Sequence, residues 1–231
     1  MPTPLNSFSR QQSLSQNGTT RLNLRGSTTR YDSAATWSQS LGTGAALNAA
    51  IPGPETGWSA AIKTAFNTGT TWSSIFQAGP ITFNTDNITM MFRIYINSFV
   101  NNVDQYCYYN GQPNLNGYGI RYDGTASNNQ RFNMLLGAIG AFKAGPAALS
   151  TGVWYHVTLR RSAGTWTLWV DGVSYALNST NPNAPANTAF VGGWDSGQPN
   201  LYARAYFTDI VFLTKALSDA EIQRYATAPF I

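Results

Sequence analysis

The sequence predicts an all-β protein: an antiparallel two-sheet sandwich of the jelly-roll type, with one short C-terminal helix and an extended N-terminal arm. Low charge, many turn residues and short runs of alternating apolar and polar residues lead to this prediction. Only 10% of the 231 residues are Asp, Glu, Lys or Arg, against about 25% in an average protein. Asn, Thr, Ser and Gly take their place, which suits short strands joined by turns. A helical bundle is disfavoured because its exposed faces need charged residues.

The chain divides at Ile51-Pro-Gly-Pro54, where two prolines flank a glycine. Residues 1–50 are polar and show no sustained periodicity, so we predict an extended arm in which residues 41–50 could form a brief turn of helix. Residues 51–231 carry the strand signals and are predicted to form the jelly-roll domain.

The strongest single strand signal lies between Ile88 and Ile96, where every second residue is apolar. Such alternation is typical of a half-buried strand. Further candidate strands lie at 58–66, 72–77, 105–109, 118–122, 131–136 and 206–213.

A three-stranded meander is predicted over residues 153–177, with strands at 153–160, 165–170 and 173–177. Asp171-Gly172 joins the last two strands and is a strong hairpin signal, because a type I′ turn needs a positive φ at both central residues. Trp166 is expected in the core. Trp169, three residues later, is expected on the opposite face of the sheet.

The C-terminal helix is predicted to begin at Asp219 and to run to about Tyr225. Ser218 and Glu221 have the spacing of a capping box, in which the two residues satisfy each other's free backbone donors. Leu217 and Ile222 can pack together as a hydrophobic staple around this cap.

Two stretches resemble the laminin-G-like, concanavalin A-like jelly-roll superfamily. The first, 154–172, opens on Trp-x-His-Val and closes on aromatic-Val-Asp-Gly; the second, 209–222, closes on Ala-Leu-Ser-x-x-Glu-Ile. The resemblance covers roughly 58–228 as architecture and leaves the arm outside. It implies that the signature residues are framework positions, with His156 a hydrogen-bonded framework histidine. These residues are Trp154, His156, Asp171, Gly172, Asp209, Ser218 and Glu221.

The scarcity of reactive side chains limits the metal sites and catalytic groups that the chain could form. His156 and Cys107 are the only histidine and cysteine, and glutamate occurs only at Glu55 and Glu221. A zinc site of several Cys and His ligands and an intrachain disulfide are therefore excluded within one chain. Cys107, in an aromatic run, is expected to be a small buried hydrophobe.

No catalytic residue and no metal or cofactor is predicted. Glycosidases of the resembled superfamily use a Glu-x-Asp-x-x-Glu strand motif, and this motif is missing here, although two acids could still converge in space. Calcium, which the superfamily also binds, is only weakly indicated. Asp104, Asp123 and Asp195 lie in loop-like stretches but form no acidic cluster in the sequence.

The net charge of +4 comes from the first part of the arm. Its first 30 residues hold four of the 14 basic residues and no acid, so the remaining ten bases balance the ten acids. We expect this arm to bind an acidic protein surface, and the arginines are too dispersed to predict nucleic-acid binding. The partner-binding residues predicted in the arm are Arg10, Arg21, Arg25 and Arg30.

Two loops contain the same Gly-Gln-Pro-Asn-Leu sequence, at 111–115 and 197–201. Aromatic and amide side chains surround both copies, as in sites that bind the apolar face and the hydroxyl groups of a sugar. The loops are either two similar turns or one shared contact surface for a glycan or partner. The candidate residues are Tyr109, Asn114, Tyr118, Trp194, Asp195, Asn200 and Tyr202.

A non-enzymatic virion protein is the function that the sequence favours, specifically a bacteriophage capsid decoration, cement or head-associated protein held by its arm. The first 30 residues lack the apolar stretch of a signal peptide, so we expect synthesis in a host cytoplasm and no membrane association. The alternative is a carbohydrate-binding, lectin-like module, and a glycoside hydrolase ranks below it. A homo-oligomer is expected, since exposed sheet edges favour association.

Overall fold

The part of the chain that the structure describes forms two antiparallel sheets and one helix. The computed structural model describes residues 20–24, 30–31, 38–39, 46–49, 61–63, 76–78, 87–124, 130–144, 148–186, 189–193 and 201–227. The strands within these residues are β1 (Thr20–Leu24), β2 (Arg30–Tyr31), β3 (Ser38–Gln39), β4 (Ala46–Ala49), β5 (Ala61–Lys63), β6 (Phe76–Ala78), β7 (Ile88–Ile96), β8 (Asp104–Asn110), β9 (Tyr118–Asp123), β10 (Phe132–Leu136), β11 (Gly140–Ala144), β12 (Trp154–Ser162), β13 (Thr165–Val170), β14 (Val173–Asn178), β15 (Ala189–Val191) and β16 (Ala205–Leu213). The helix is α1 (Asp219–Thr227).

Among the described residues, one sheet has nine strands and the other has seven. The nine-stranded sheet runs β14-β13-β12-β7-β16-β1-β2, with β5 joining β16 to β4. The seven-stranded sheet runs β11-β10-β9-β8-β15-β6-β3. The predicted all-β sandwich with a single short C-terminal helix is confirmed.

The core lies between the two sheets. Alternate residues of β7, from Ile88 to Ile96, face aromatic and aliphatic side chains of β9, β10, β12 and β13. Trp166 is fully buried in this core, as predicted. Cys107 is buried there too, and burial raises the pKa of its thiol well above the usual value, so its prediction as a buried hydrophobe is confirmed.

The predicted strand positions from residue 88 onwards agree with β7, β8, β9, β10, β12, β13, β14 and β16 to within two residues at nearly every end. The helical turn predicted at 41–50 is wrong, because Ala46–Ala49 forms strand β4 and pairs with β5. Strands before residue 50 also pair with β16 and β6. The boundary between an arm at 1–50 and a domain at 51–231 stays a prediction.

Helix α1 begins as the capping box predicts. The backbone N–H and the hydroxyl of Ser218 donate to Glu221 Oε2 at 2.7 and 2.8 Å, and the Glu221 N–H donates back to Ser218 Oγ at 3.3 Å. The bond from the Ser218 backbone lowers the pKa of Glu221. Leu217 and Ile222 are buried in one cluster, as a staple requires.

Helix α1 covers part of the outer face of the nine-stranded sheet. Trp169 lies there, opposite in direction to Trp166 as predicted, and is buried with Leu217 and Ile222. Arg160 links the sheet to the start of the helix. Its guanidinium lies 5.2 Å from the centre of the Trp169 ring and donates a hydrogen bond to the Leu217 carbonyl at 2.9 Å. Trp169 is therefore covered by the helix.

None of the helical segments within the described residues is both long enough and apolar enough to cross a membrane.

Candidate functional site

A polar and aromatic cluster lies on the outer face of the seven-stranded sheet. On β10, Phe132, Met134 and Leu136 face the core, so Asn133 and Leu135 between them face outward. Leu135 packs with Tyr106 and Tyr109 of β8. We call this group the Arg121 cluster, and it comprises Asp104, Tyr106, Tyr109, Arg121, Asp123, Asn133 and Leu135.

The strand register brings these side chains together. Arg121 of β9 lies opposite Tyr106 on one neighbouring strand and opposite Asn133 on the other. The β8–β9 register shifts between Tyr106 and Tyr108. Because of this bulge, Tyr108 faces the core whereas Tyr106 and Tyr109 both face outward.

The two tyrosines of the cluster are buried and pack against each other. Their rings meet edge to face, with centroids 5.9 Å apart, and the Tyr109 hydroxyl donates to the Asn116 carbonyl at 3.0 Å. Gly119, directly opposite Tyr109, makes room for this ring, since a Cβ at position 119 would lie 2.3 Å from Tyr109 Cδ2.

Charge at the cluster is concentrated in one ion pair with a second acid beside it. The Arg121 guanidinium contacts the Asp104 carboxylate, and their side chains keep 20% and 31% of their surface exposed. Asp123 lies opposite Asp104 in the strand register. Burial and the charge of Asp123 raise the pKa of Asp104, while Arg121 acts in the lowering direction, and the net direction is upward.

Two buried polar atoms of the cluster have no hydrogen-bond partner within the described part of the chain. They are Nε of Arg121 and Oδ1 of Asn133, and the Asn133 residue is only 1% exposed. The Asn133 amide nitrogen makes a long 3.4 Å contact with the Arg131 carbonyl. These two atoms lie beside a partly exposed ion pair on the outer face of the sheet, and this combination makes the face a candidate binding site.

The aromatic loop residues predicted to bind a glycan are buried wherever the structure describes them. Tyr109, Tyr118 and Tyr202 are buried, so their rings offer no open face to a ligand. Asn114 is exposed, with a φ of 72°, beside the exposed Leu115. Trp194, Asp195 and Asn200 lie outside the described residues.

The signature residues are framework residues on the outer face of the nine-stranded sheet. The backbone N–H of His156 donates to Asp171 Oδ1 at 2.7 Å, and the Asp171 N–H donates back to the His156 carbonyl at 2.8 Å. Asp171 and Gly172 have φ values of 50° and 78°, as their turn requires. Asp209 contacts Arg93 Nε at 3.4 Å.

Trp154 lies opposite Tyr95, with ring centroids 5.6 Å apart. Of the predicted arm residues, Arg21 lies on β1 and Arg30 on β2. Arg10 and Arg25 lie outside the described residues.

The described side chains do not form a calcium site. No group of three or more His, Cys, Asp or Glu side chains that could hold a metal occurs among them, and the Asp104 carboxylate is engaged by a guanidinium. A calcium site requires six to eight oxygen ligands, most of them anionic or carbonyl. Asp195 lies outside the described residues, so the weak calcium expectation there stays a prediction.

The sequence reasoning missed Arg121, Tyr106 and Asn133 as site residues. The available signal was a polar residue at an outward position in each of three consecutive predicted strands. To combine these three residues, one must know which side of the sheet each strand position faces. The bulge in β8 reverses that assignment partway along the strand.

Solved structures with similar folds come from several kinds of protein. A botulinum neurotoxin type C structure is 14% identical, with a TM-score of 0.62, over 94% of this chain and 52% of that chain. Trypanosoma rangeli sialidase in complex with the inhibitor DANA is 18% identical, with a TM-score of 0.62, over 89% and 32%. A heptameric SAP-like pentraxin from Limulus polyphemus is 15% identical, with a TM-score of 0.50, over 65% and 81%.

At such low sequence identity, the structural similarity shows that these proteins share a fold with this chain and nothing more. The chain spans about half of the neurotoxin chain and about a third of the sialidase chain. No curated protein sequence matches it. A sequence profile described as the concanavalin A-like lectin/glucanases superfamily matches residues 67–223, more than half of the chain, and the observed sandwich is the one that the signature motifs imply. The chain therefore belongs to the concanavalin A-like lectin/glucanases superfamily.

Proposed function

We propose that the protein is a non-enzymatic carbohydrate-binding module and that the Arg121 cluster binds the sugar. The observation that carries this proposal is the partly exposed Arg121–Asp104 ion pair, which lies on the outer face of the sheet beside the buried side chains of Tyr106, Tyr109 and Leu135. A sugar ring has an apolar face and a rim of hydroxyl groups. The ion pair provides strong donors and acceptors for those hydroxyl groups.

The ligands of the structural neighbours support the same function by analogy. The botulinum neurotoxin type C structure concerns interaction with two ganglioside molecules, and a related botulinum DC binding domain is in complex with SialylT. Both are glycan-recognising sandwiches at 14–15% identity. At that identity the fold is shared and the sites need not be, so the residues of this chain must be tested directly.

An Arg121→Gln substitution should abolish most glycan binding. Losing a charge-assisted hydrogen bond costs about 1.5–3 kcal/mol, which corresponds to roughly a 10- to 100-fold weaker affinity. Binding would first be located on a glycan array and then measured by titration calorimetry. Arg224→Gln, on the exposed surface of α1, is the matched control and should bind like the parent. Equal affinities of the Arg121→Gln variant and the parent would contradict the proposed site.

Sugar hydrolysis is a second candidate because Asp104 and Asp123 lie directly opposite each other. Opposed residues in antiparallel strands have Cβ atoms about 4.5–5.5 Å apart, and retaining glycosidases hold two carboxyl groups about 5–5.5 Å apart. The raised pKa of Asp104 also suits a general acid. Its ion pair with Arg121 favours the charged form instead, so binding without cleavage remains our proposal. Release of reducing ends that stops in an Asp123→Asn variant would establish hydrolysis.

The virion role predicted from the sequence remains a separate proposal: a bacteriophage capsid decoration or cement protein held to its particle by the arm. Deleting residues 1–30, which contain four arginines and no acid, should abolish association with the particle. The measurement is the occupancy of the protein on purified particles after sedimentation, with an Arg224→Gln chain as the control. Unchanged occupancy after the deletion would contradict this role.

The predicted homo-oligomer also remains a proposal, and β14 is the described surface that fits it best. This strand pairs only with β13 among the described strands. It exposes Val173, Tyr175 and Leu177, the last at 72%, and carries no charged residue. Edge strands without charge or proline favour pairing with another copy.

A further inference from the structure

We infer that Asp104 is a specificity-determining residue that restricts the Arg121 cluster to neutral glycans and excludes sialylated ones. This inference rests on the proposed function and adds the ligand class. It differs from what the similar solved structures would suggest, since several of them hold or act on sialyl sugars.

The first argument is that the guanidinium of Arg121 is already engaged. A sugar carboxylate would be recognised best by a free arginine fork, which offers two parallel N–H donors. Here the Asp104 carboxylate contacts NH1 of that fork. An acidic sugar would have to displace Asp104 from Arg121 and leave its carboxylate without the partner that compensates its burial.

The second argument is the balance of charge on this face. The cluster contains one cation, Arg121, and two anions, Asp104 and Asp123. Asp123 lies directly opposite Asp104, and its charge acts on that residue. A ligand carboxylate approaching Arg121 therefore meets two like charges, and like-charge contact disfavours an incorrect partner.

The third argument is the mixture of donors and acceptors. Arg121 supplies N–H donors, and the Asp104 carboxylate supplies acceptors. Oδ1 of Asn133, directly opposite Arg121, is a buried acceptor with no partner within the described part of the chain. A hydroxyl group both donates and accepts, so it can satisfy both kinds of group, whereas a carboxylate can only accept.

The test compares paired glycans that differ only in a terminal sialic acid. The parent chain should bind the desialylated member of each pair at least ten-fold more tightly. Asp104→Asn should weaken neutral binding and strengthen sialylated binding, so that the ratio of the two affinities moves at least ten-fold towards the sialylated glycan. Asp104→Glu keeps the charge and should keep the neutral preference. Affinities would be measured by calorimetry, with thermal unfolding to confirm that each variant is folded.

Asp219→Asn is the matched control, because Asp219 also pairs with an arginine, Arg160, but it is the first residue of helix α1 and lies over the other sheet. It should leave both affinities unchanged. Preferential binding of sialylated glycans by the parent, or an unchanged ratio in Asp104→Asn, would overturn this inference and leave glycan binding itself intact. An absence of binding to every glycan would instead overturn the proposed function.

Discussion

Replacing Trp166 by alanine should lower the free energy of unfolding by about 3–5 kcal/mol, the usual range for removing a fully buried aromatic side chain. Trp166 has no exposed surface and lies between the two sheets. Its ring centroid is 4.9 Å from that of Tyr118 on the opposite sheet. The guanidinium carbon of Arg161 lies 5.7 Å from the ring centre. The substitution therefore removes an aromatic contact and a cation–π contact and leaves a cavity that the sheets cannot fill.

Urea unfolding followed by circular dichroism would measure the loss, and the midpoint of thermal unfolding should fall by roughly 10 °C, since about 1 kcal/mol shifts a domain of this size by 2–4 °C. Leu177→Ala is the control, because that side chain is 72% exposed. It should change the free energy of unfolding by less than about 0.5 kcal/mol. Similar midpoints for the two variants would show that Trp166 does not hold the sheets together.

The elements that the sequence predicted well are those specified by local signals. Every second residue of β7, from Ile88 to Ile96, is apolar and lies in the core, as the alternation predicts. The other face of β7 is buried as well, so the prediction that the strand is half-buried is wrong. The Asp171-Gly172 turn and the Ser218–Glu221 cap each depend on residues a few positions apart. In each case the chemistry that determines the structure lies within one short stretch of sequence.

The Arg121 cluster could not be predicted in this way because it depends on register between strands. Asp104 and Asp123 are 19 positions apart in the sequence and were considered only as separate loop acids, yet the β8–β9 pairing places them opposite each other. Tyr108 and Tyr109, adjacent in sequence, face opposite sides of the sheet. Nothing in the aromatic run itself shows where the bulge falls.

The aromatic loop residues that the sequence predicts as ligand contacts are buried in the described structure. Tyr118 contacts Trp166 in the core, and the Tyr202 ring fits against Gly193, where a Cβ would lie 1.9 Å from the ring. An aromatic residue beside Asn and Gly can serve a core or a sugar site, and only the three-dimensional packing separates the two. Here the same residues stabilise the sandwich beneath its loops.

Acidification should destabilise the protein through His156, its only histidine. Burial and the nearby positive charge of Arg93 lower the pKa of His156 from 6.5 to about 3. Nδ1 of its ring has no hydrogen-bond partner within the described part of the chain, so no partner at this nitrogen stabilises a charged imidazole. The unfolded chain takes up a proton at this residue near pH 6.5, and the folded chain does so only near pH 3.

The difference between these two pKa values determines how the free energy of unfolding changes with pH. Between pH 6.5 and pH 3 the unfolded state binds more protons than the folded state, so the stability present above pH 6.5 is lost as the pH falls. The loss should reach about 2 kcal/mol by pH 5, at 1.36 kcal/mol per pH unit below the unfolded pKa. Asp171, which accepts the His156 backbone N–H, acts in the opposite direction, because burial raises its pKa and acid then favours the folded state.

A His156→Gln variant separates this contribution from those of the carboxylates. Its free energy of unfolding should fall less between pH 7.5 and pH 5 than that of the parent, by about 2 kcal/mol, whatever its absolute stability at pH 7.5. Urea titrations of both proteins across this range give the two profiles. Because no other histidine is present, a difference that develops between pH 7 and pH 5 belongs to this side chain. If the free energies of unfolding of the two proteins fell equally with pH, the folded protein would tolerate a charged imidazole at position 156. The surroundings of His156 would then have to be polar enough to stabilise that charge.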